Sequence, residues 1–200
     1  MEISWQLEKW LMNMSLRVIS GSAKGRKLID VPGDITRPIT DRVKESLFNI
    51  LAGDVVGSTW WDIFSGTGAV GIEALSRGAE FVRFLDLDRK AVETIQANIE
   101  HVGFSSRAEI RRGDAFVLLS STPDRSFDYG YIAPPQYKGM WTKALFSLDN
   151  NIGWMSEDAC VIVQIHPKEY EEISLQYFQE YDQRKYGSTL LVFFERRLAE

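Results

Sequence analysis

The residues best placed to do chemistry surround one turn. Trp60-Trp61-Asp62-Ile63-Phe64-Ser65-Gly66-Thr67-Gly68-Ala69-Val70-Gly71 is an apolar run that ends in glycines spaced G-x-G-x-x-G and passes into a helical pattern. A strand, a tight turn and a helix N-terminus are written this way. Gly66 and Gly68 let the backbone bend and let a ligand approach main-chain N–H groups, and Gly71 permits close packing of helix on strand. A loop that merely turns a corner is the simpler alternative, but a corner does not need three glycines in this register.

Dinucleotides and S-adenosylmethionine both use such a turn. A dinucleotide lays its pyrophosphate over the helix N-terminus, whereas S-adenosylmethionine carries no phosphate and is held by main-chain groups and carboxylates. Asp62, at the end of the strand, could pair with the ammonium group of S-adenosylmethionine, where a dinucleotide fold more usually has an apolar residue. Asp86 ends the next apolar run, Phe81–Leu85, and stands where an acid accepts from ribose hydroxyls. Either cofactor wants that acid; its plainer role is a solvated strand-end carboxylate, with Asp88 capping the next helix. Asp114 ends a third strand candidate and suits an adenine amine, or simply caps the helix of Ala115–Leu119.

These carboxylates need strands to carry them, and the rest of the chain supplies an alternation. A helix is expected over Arg89–His101 with Gly103 past its end, strands over 107–112, 126–132 and 161–165, a helix to about Leu148, and a hairpin from Leu175 to Phe194 turning at Tyr186-Gly187-Ser188. Strands alternating with helices and closing in an antiparallel hairpin give an α/β fold, a Rossmann-like three-layer sandwich with a mostly parallel sheet. Carboxylates 62, 86 and 114 then gather at the strand C-termini, where open α/β sheets bind ligands. After the fourth strand comes Ala133-Pro134-Pro135-Gln136-Tyr137, whose two prolines fix a rigid, extended loop.

Ahead of the glycine turn, 17–29 reads as two short strands joined by a basic turn with Lys24, Arg26 and Lys27 near its tip. Thr40 is the expected N-cap of a helix with Val43, Leu47, Phe48, Ile50 and Leu51 on its apolar side and Gly53 as a stop. The domains expected are an N-terminal extension over 1–15, a basic hairpin and helix over 16–53, and the main domain over 54–200. Ile3, Leu7, Trp10 and Leu11 have helical spacing, but the stretch lacks a secretory signal's basic start and long apolar centre. Met14 is a second candidate start.

Two hundred residues with 44% hydrophobic and 26% charged content are ordinary for a soluble globular chain. No apolar run approaches the ~18 residues of a membrane span. A single cysteine, Cys160, reads as a small core residue and fits a reducing cytosol, and with two histidines it argues against a zinc site, so no metal is expected. Net charge is −5, yet residues 15–51 hold seven cations (Arg17, Lys24, Arg26, Lys27, Arg37, Arg42, Lys44) against four carboxylates. A basic face on an acidic body suits phosphate binding; a solvated face explains it equally well.

Arg17-Val18-Ile19-Ser20-Gly21 with Lys24–Leu28, Thr36-Arg37-Pro38, Thr40–Asn49, Asp62–Gly68 and Glu73–Ala79 together resemble the ribosomal small-subunit RNA methyltransferase D family, in order from residue 16 to about 195. The resemblance implies a class I methyltransferase fold, S-adenosylmethionine as cofactor, and methylation of the exocyclic N2 amine of a guanine in 16S ribosomal RNA, free or in an assembling small subunit; a cytoplasmic location and a monomeric state are expected beside it. It places Asp62, Phe64, Gly66 and Gly68 on the cofactor loop, Asp86 at the ribose and Asp114 at the adenine. From the charge distribution, Lys24, Arg26, Lys27, Arg37 and Arg42 are the expected RNA-binding cations, making 16–53 an RNA-binding appendage. Related amino-methyltransferases carry Asp or Asn before Pro-Pro and an aromatic residue after it, to accept from the substrate amine and stack on the flipped base. This chain departs from that pattern: Ala133 and Gln136 stand there. Ala133, Pro134, Pro135, Gln136 and Tyr137 are the expected catalytic loop, with the Gln136 amide oxygen and Tyr137 ring in a rearranged arrangement. The alternatives are a silent member that holds cofactor and RNA, and a dinucleotide-dependent oxidoreductase.

Overall fold

A computed structural model of the chain describes residues 16–32 and 39–197. The expected extension over 1–15, Arg37 and the Thr36-Arg37-Pro38 motif lie outside the described residues.

Among the described residues seven strands form one sheet: β1 Thr59–Asp62, β2 Phe81–Asp86, β3 Ala108–Arg112, β4 Phe127–Ile132, β5 Met155–Ile165, β6 Phe178–Tyr186 and β7 Thr189–Arg196, in the order β3-β2-β1-β4-β5-β7-β6. The first five run parallel, and β7 is antiparallel to both β5 and β6. The α-helices are α1 Asp41–Leu51, α2 Ala69–Ser76, α3 Arg89–Val102, α4 Ala115–Leu119 and α5 Met140–Asn150. Strand order reverses beside β1, so the C-terminal ends of β1 and β4 flank the crevice where such sheets hold ligands.

Period-two alternation divides the core into two faces. Trp60 stacks on Phe48 and Tyr129 on the face covered by α1, α2 and α3. The neighbouring Trp61 packs with Phe127 and Trp154 on the face covered by α5. Thr40 caps α1 through Val43 N–H, Asp88 caps α3 through Lys90 N–H, and Gly103 closes α3 in the left-handed region at φ +80°. Gly71 does what its place in the turn requires: a Cβ there would lie 2.4 Å from Phe84 Cε1, so only glycine lets α2 sit this close to β2.

Three elements differ from expectation. Strand β5 begins at Met155, six residues before the expected Val161, because Ser156-Glu157-Asp158 lie at a solvent-facing end of the sheet and hide the apolar pattern. Helix α1 stops at Leu51, and Ala52–Val55 continue as a 3₁₀ turn through Gly53. The two expected strands of the basic hairpin reduce to one bridge, Arg17 to Lys27. Main-chain donors that would have lengthened the ladder go to α2 instead: Ile19 and Ser20 N–H donate to Glu73, Ser22 N–H to the Ser76 carbonyl and Ala23 N–H to Ser76 Oγ. Leu16, Val18, Ala23 and Leu28 accordingly share the hydrophobic core of α1 to α3.

Candidate active site

The parallel register sets four loops side by side. Asp86 pairs with Arg112, Asp62 with Phe84 on one side and with Tyr131 on the other. Asp114 follows β3, Asp86 ends β2, the glycine turn follows β1, and Ala133–Tyr137 follow β4. Ile63 N–H donates to the Tyr131 carbonyl at 3.0 Å, holding the start of the glycine turn against the strand that delivers Ala133 two residues later.

Asp62 is the most unusual side chain of the group. It is 1% exposed, its Oδ2 accepts only a long 3.4 Å bond from Gly71 N–H, and its Oδ1 is buried with no partner among the described residues. Burial pushes its carboxyl up to about 7; the Gly71 bond opposes the rise and the charge of Asp86 adds to it. A buried acceptor without a donor costs stability unless something fills the role. An ammonium group suits it: it restores the charged carboxylate and satisfies the empty oxygen together, so the residues present fit the amino-acid end of S-adenosylmethionine.

Asp86 Oδ2 accepts from Gly66 N–H at 2.8 Å and Oδ1 from Asp88 N–H at 2.9 Å. One N–H of the glycine turn is therefore used by Asp86, and the carboxylate fixes the turn while retaining lone pairs for a second acceptor role. Gly68 takes φ +76° and opens α2 without a side-chain cap. Asp114 does what its plainer reading says: Oδ1 accepts from Phe116 N–H at 2.7 Å and from Val117 N–H at 3.4 Å, capping α4. Asp114 is exposed, and its Oδ2 accepts no hydrogen bond among the described residues. Phe64 packs against Phe116, ring centroids 6.2 Å apart, forming an aromatic wall between the β1 and β3 loops.

In the loop after β4, Pro134 is buried and Pro135 exposed; Ala133 packs on the core face that also carries Tyr131. Gln136 is half-buried, and its side chain bonds to nothing among the described residues. Tyr137, 66% exposed, has φ +60° and lies 5.7 Å from the His166 ring, centroid to centroid. Its N–H donates to Glu169.

Residues 16–195 match the family model described as Conserved hypothetical protein 95. Ribosomal RNA small subunit methyltransferase D of Escherichia coli (strain K12) is 34% identical over 152 residues, 74% of either chain. YlbH of Bacillus subtilis, whose name makes it a candidate rRNA methyltransferase, is 40% identical over 157 residues, 78% of this chain and 85% of its own. The chain belongs to the ribosomal RNA small subunit methyltransferase D family. The structure of yhhF from Escherichia coli, described as a candidate methyltransferase, superposes with a TM-score of 0.82 at 27% identity, covering 91% of this chain and 98% of that one. The fold is the class I methyltransferase fold, and family membership removes the dinucleotide oxidoreductase reading.

Seen as a member of this methyltransferase D family, the chain divides its basic residues into two kinds. Lys24, Arg26, Lys27 and Arg42 are exposed, and Arg26 reaches the His101 carbonyl at 3.0 Å. Lys44, counted with the basic face in sequence, is fully buried: its Nζ lies 3.5 Å from Glu73 Oε2 and donates to the Arg17 carbonyl. Burial lowers the Lys44 pKa, opposed chiefly by Glu73. Arg77 closes the other side of Glu73 at 2.8 Å. The family-like Arg-Val-Lys-Glu and Glu-Ala-Leu segments thus meet in a buried ion pair that pins residues 17–20 to α2, a structural task. Arg17 pairs with Asp41 at 2.8 Å, so it too is engaged within the protein. Glu169 and His166 escaped the sequence reading because they lie some thirty residues beyond the loop they touch.

Proposed function

We propose that the protein moves a methyl group from S-adenosylmethionine to the exocyclic N2 amine of a guanine in 16S ribosomal RNA. That it is an rRNA methyltransferase using this donor follows from its family; the guanine N2 target, the assembling small subunit as substrate, a monomeric state and a cytoplasmic location are our reading. Among the described residues no helix is long and apolar enough to cross a membrane. The observation that carries the proposal is the buried oxygen of Asp62, partnerless among the described residues and one strand away from the Ala133–Tyr137 loop.

The donor supplies an electrophilic methyl group on a sulfonium. In this reading Asp62 holds its ammonium, Asp86 its ribose hydroxyls and Asp114 its adenine amine, with Phe64 walling the pocket. An exocyclic amine is a poor nucleophile because its lone pair is delocalised into the ring. Acceptors from Gln136 and the loop backbone orient that amine for in-line attack, while Tyr137 stacks on the base. Labelled S-adenosylmethionine with small subunits or 16S RNA lacking the modification tests this: label should map to N2 of a guanine, and label elsewhere refutes the assignment. A second reading, a silent binder of cofactor and RNA, is favoured by Ala133, which carries no acceptor. Bound cofactor without turnover on any guanine substrate would establish it.

Two further outcomes are expected. Asp86→Ala should weaken S-adenosylmethionine by about ten- to a hundredfold, the range of one charge-assisted hydrogen bond; unchanged affinity by calorimetry in a folded variant removes Asp86 from the site. Neutralising Lys24, Arg26 and Lys27 together should lower RNA affinity and flatten its salt dependence, the log–log slope falling by about 0.7–0.9 for each phosphate that the variant no longer neutralises. Cofactor affinity should not move. An unchanged slope would make these cations a solvated face.

A further inference from the structure

The loop after β4 is held by an acidic side chain from the 3₁₀ turn Pro167–Glu169 that follows β5. Glu169 Oε1 accepts from Tyr137 N–H at 2.5 Å, and its Oε2 accepts from His166 N–H at 3.1 Å. The Glu169 carbonyl accepts from Trp141 Nε1 at 3.2 Å, and Trp141 is buried in the first turn of α5. A single residue therefore joins the loop, the end of β5 and the start of α5. Its position is unusual on charge grounds, because a carboxylate beside a surface that meets RNA repels phosphate. Some other role has to offset that repulsion.

We propose that Glu169 is a positioning residue for methyl transfer, holding the Gln136–Tyr137 peptide in the orientation that presents an acceptor to the substrate amine. The inference rests on the reading of 133–137 as the loop that receives that amine. In a trans peptide the C=O points opposite to the N–H of the next residue. Fixing Tyr137 N–H on Glu169 thus fixes the Gln136 carbonyl on the side away from Glu169. Tyr137 occupies φ +60°, a region disfavoured for residues with a Cβ, so the loop has reason to relax if its N–H is released. Relaxation would turn the Gln136 carbonyl and separate the Tyr137 ring from His166, both without touching the cofactor loop.

The test uses the full chain with Glu169→Ala and Glu169→Gln. Three quantities are measured: single-turnover methyl transfer at saturating S-adenosylmethionine, cofactor affinity, and amide hydrogen exchange of peptides covering 136–141 and 161–165. Glu169→Ala should slow transfer by about ten- to a hundredfold, in line with the cost of small misplacements of catalytic groups. Cofactor affinity should stay within about twofold, since no Asp62 or Asp86 contact is altered. Exchange should rise in 136–141 and stay constant in 161–165. Glu169→Gln keeps one carbonyl acceptor and should fall between parent and alanine variant in both rate and exchange. A Glu169→Ala enzyme as fast as the parent overturns the proposal, as does a loss of rate matched by an equal loss of cofactor affinity. Should the alanine variant not fold, a glutamine variant with parental rate and exchange overturns it equally. A parent inert on every guanine substrate defeats the functional reading instead, and the clamp then stands or falls on the exchange of 136–141 alone.

Discussion

Asp62→Asn is expected to weaken S-adenosylmethionine binding by about 10²–10³-fold at pH 8, the range for removing one member of a buried, hydrogen-bonded charge pair, and at the same time to make the ligand-free protein more stable. The two effects have one cause. Asp62 is buried, lacks a partner for Oδ1 among the described residues, and has its carboxyl pushed up to about 7 from 3.8. Between those values the folded state retains a proton that the unfolded chain has lost, so rising pH favours unfolding, and the penalty is complete above about 7. At 1.36 kcal/mol per pKa unit its full size is on the order of 4 kcal/mol. Asparagine has no charge to bury, so the variant should match the parent near pH 4 and exceed it increasingly up to about pH 7. Cofactor affinity of the parent should run the other way. In the proposed site the ammonium pairs with the carboxylate, not the acid, so affinity should fall by up to about tenfold per pH unit below about 7, and this dependence should vanish in Asp62→Asn. Urea unfolding at pH 4.5 and 8 and calorimetric titration at pH 5.5, 6.5 and 8 check both halves. A stability difference that does not vary with pH, or a variant whose cofactor affinity equals the parent's, would take Asp62 out of the ligand site.

The parts of this site legible in sequence were those whose signal is local. Strand, glycine turn and helix occupy adjacent residues from Trp60 to Leu75, so their geometry is written in consecutive letters. The same holds for Asp86, which closes β2, and for Asp114, two residues past the end of β3. Asp114 illustrates the limit: a carboxylate before a short helix caps it whether or not it also meets a ligand, and the cap is what the structure displays. Nonlocal facts were not legible. Lys44 looked like one more surface cation because nothing around it in the chain announces that Glu73 and the Arg17 carbonyl enclose it. The basic hairpin looked like an independent ladder because the sequence does not show that α2 competes for its N–H groups. The start of β5 was lost because three polar residues occupy an exposed strand end, where alternation carries no hydrophobic signal. Glu169 belongs with these: its partner Tyr137 precedes it by 32 residues, and only the β4–β5 pairing brings them together.

Gln136→Ala should reduce methyl transfer by about 10²–10³-fold while leaving S-adenosylmethionine affinity nearly unchanged, the pattern of an interaction made in the transition state alone. Ala133 offers no side-chain acceptor, so in the proposed mechanism a side-chain acceptor for the amine comes from elsewhere in the loop. Gln136 is the one amide side chain in the five-residue loop. It is half-buried, and among the described residues no protein donor or acceptor occupies it. Its neighbour Tyr137 is exposed and held by Glu169 rather than by Gln136, so truncating Gln136 should leave the loop in place. The loss can then be assigned to the missing oxygen through a rescue. Ala133→Asn, introduced into the Gln136→Ala enzyme, puts an amide oxygen back before Pro134 without bringing a second carboxylate onto the core face of buried Asp62. If the acceptor is what matters, the double variant should recover at least about tenfold of the lost rate, roughly one hydrogen bond's worth of barrier. Single-turnover rates on unmodified ribosomal substrate decide it. A Gln136→Ala enzyme as fast as the parent ends the role assigned to this side chain and leaves Pro134-Pro135 as a structural turn. A slow variant that Ala133→Asn does not rescue would mean that Gln136 acts through contacts with the RNA rather than as the acceptor for the reacting amine.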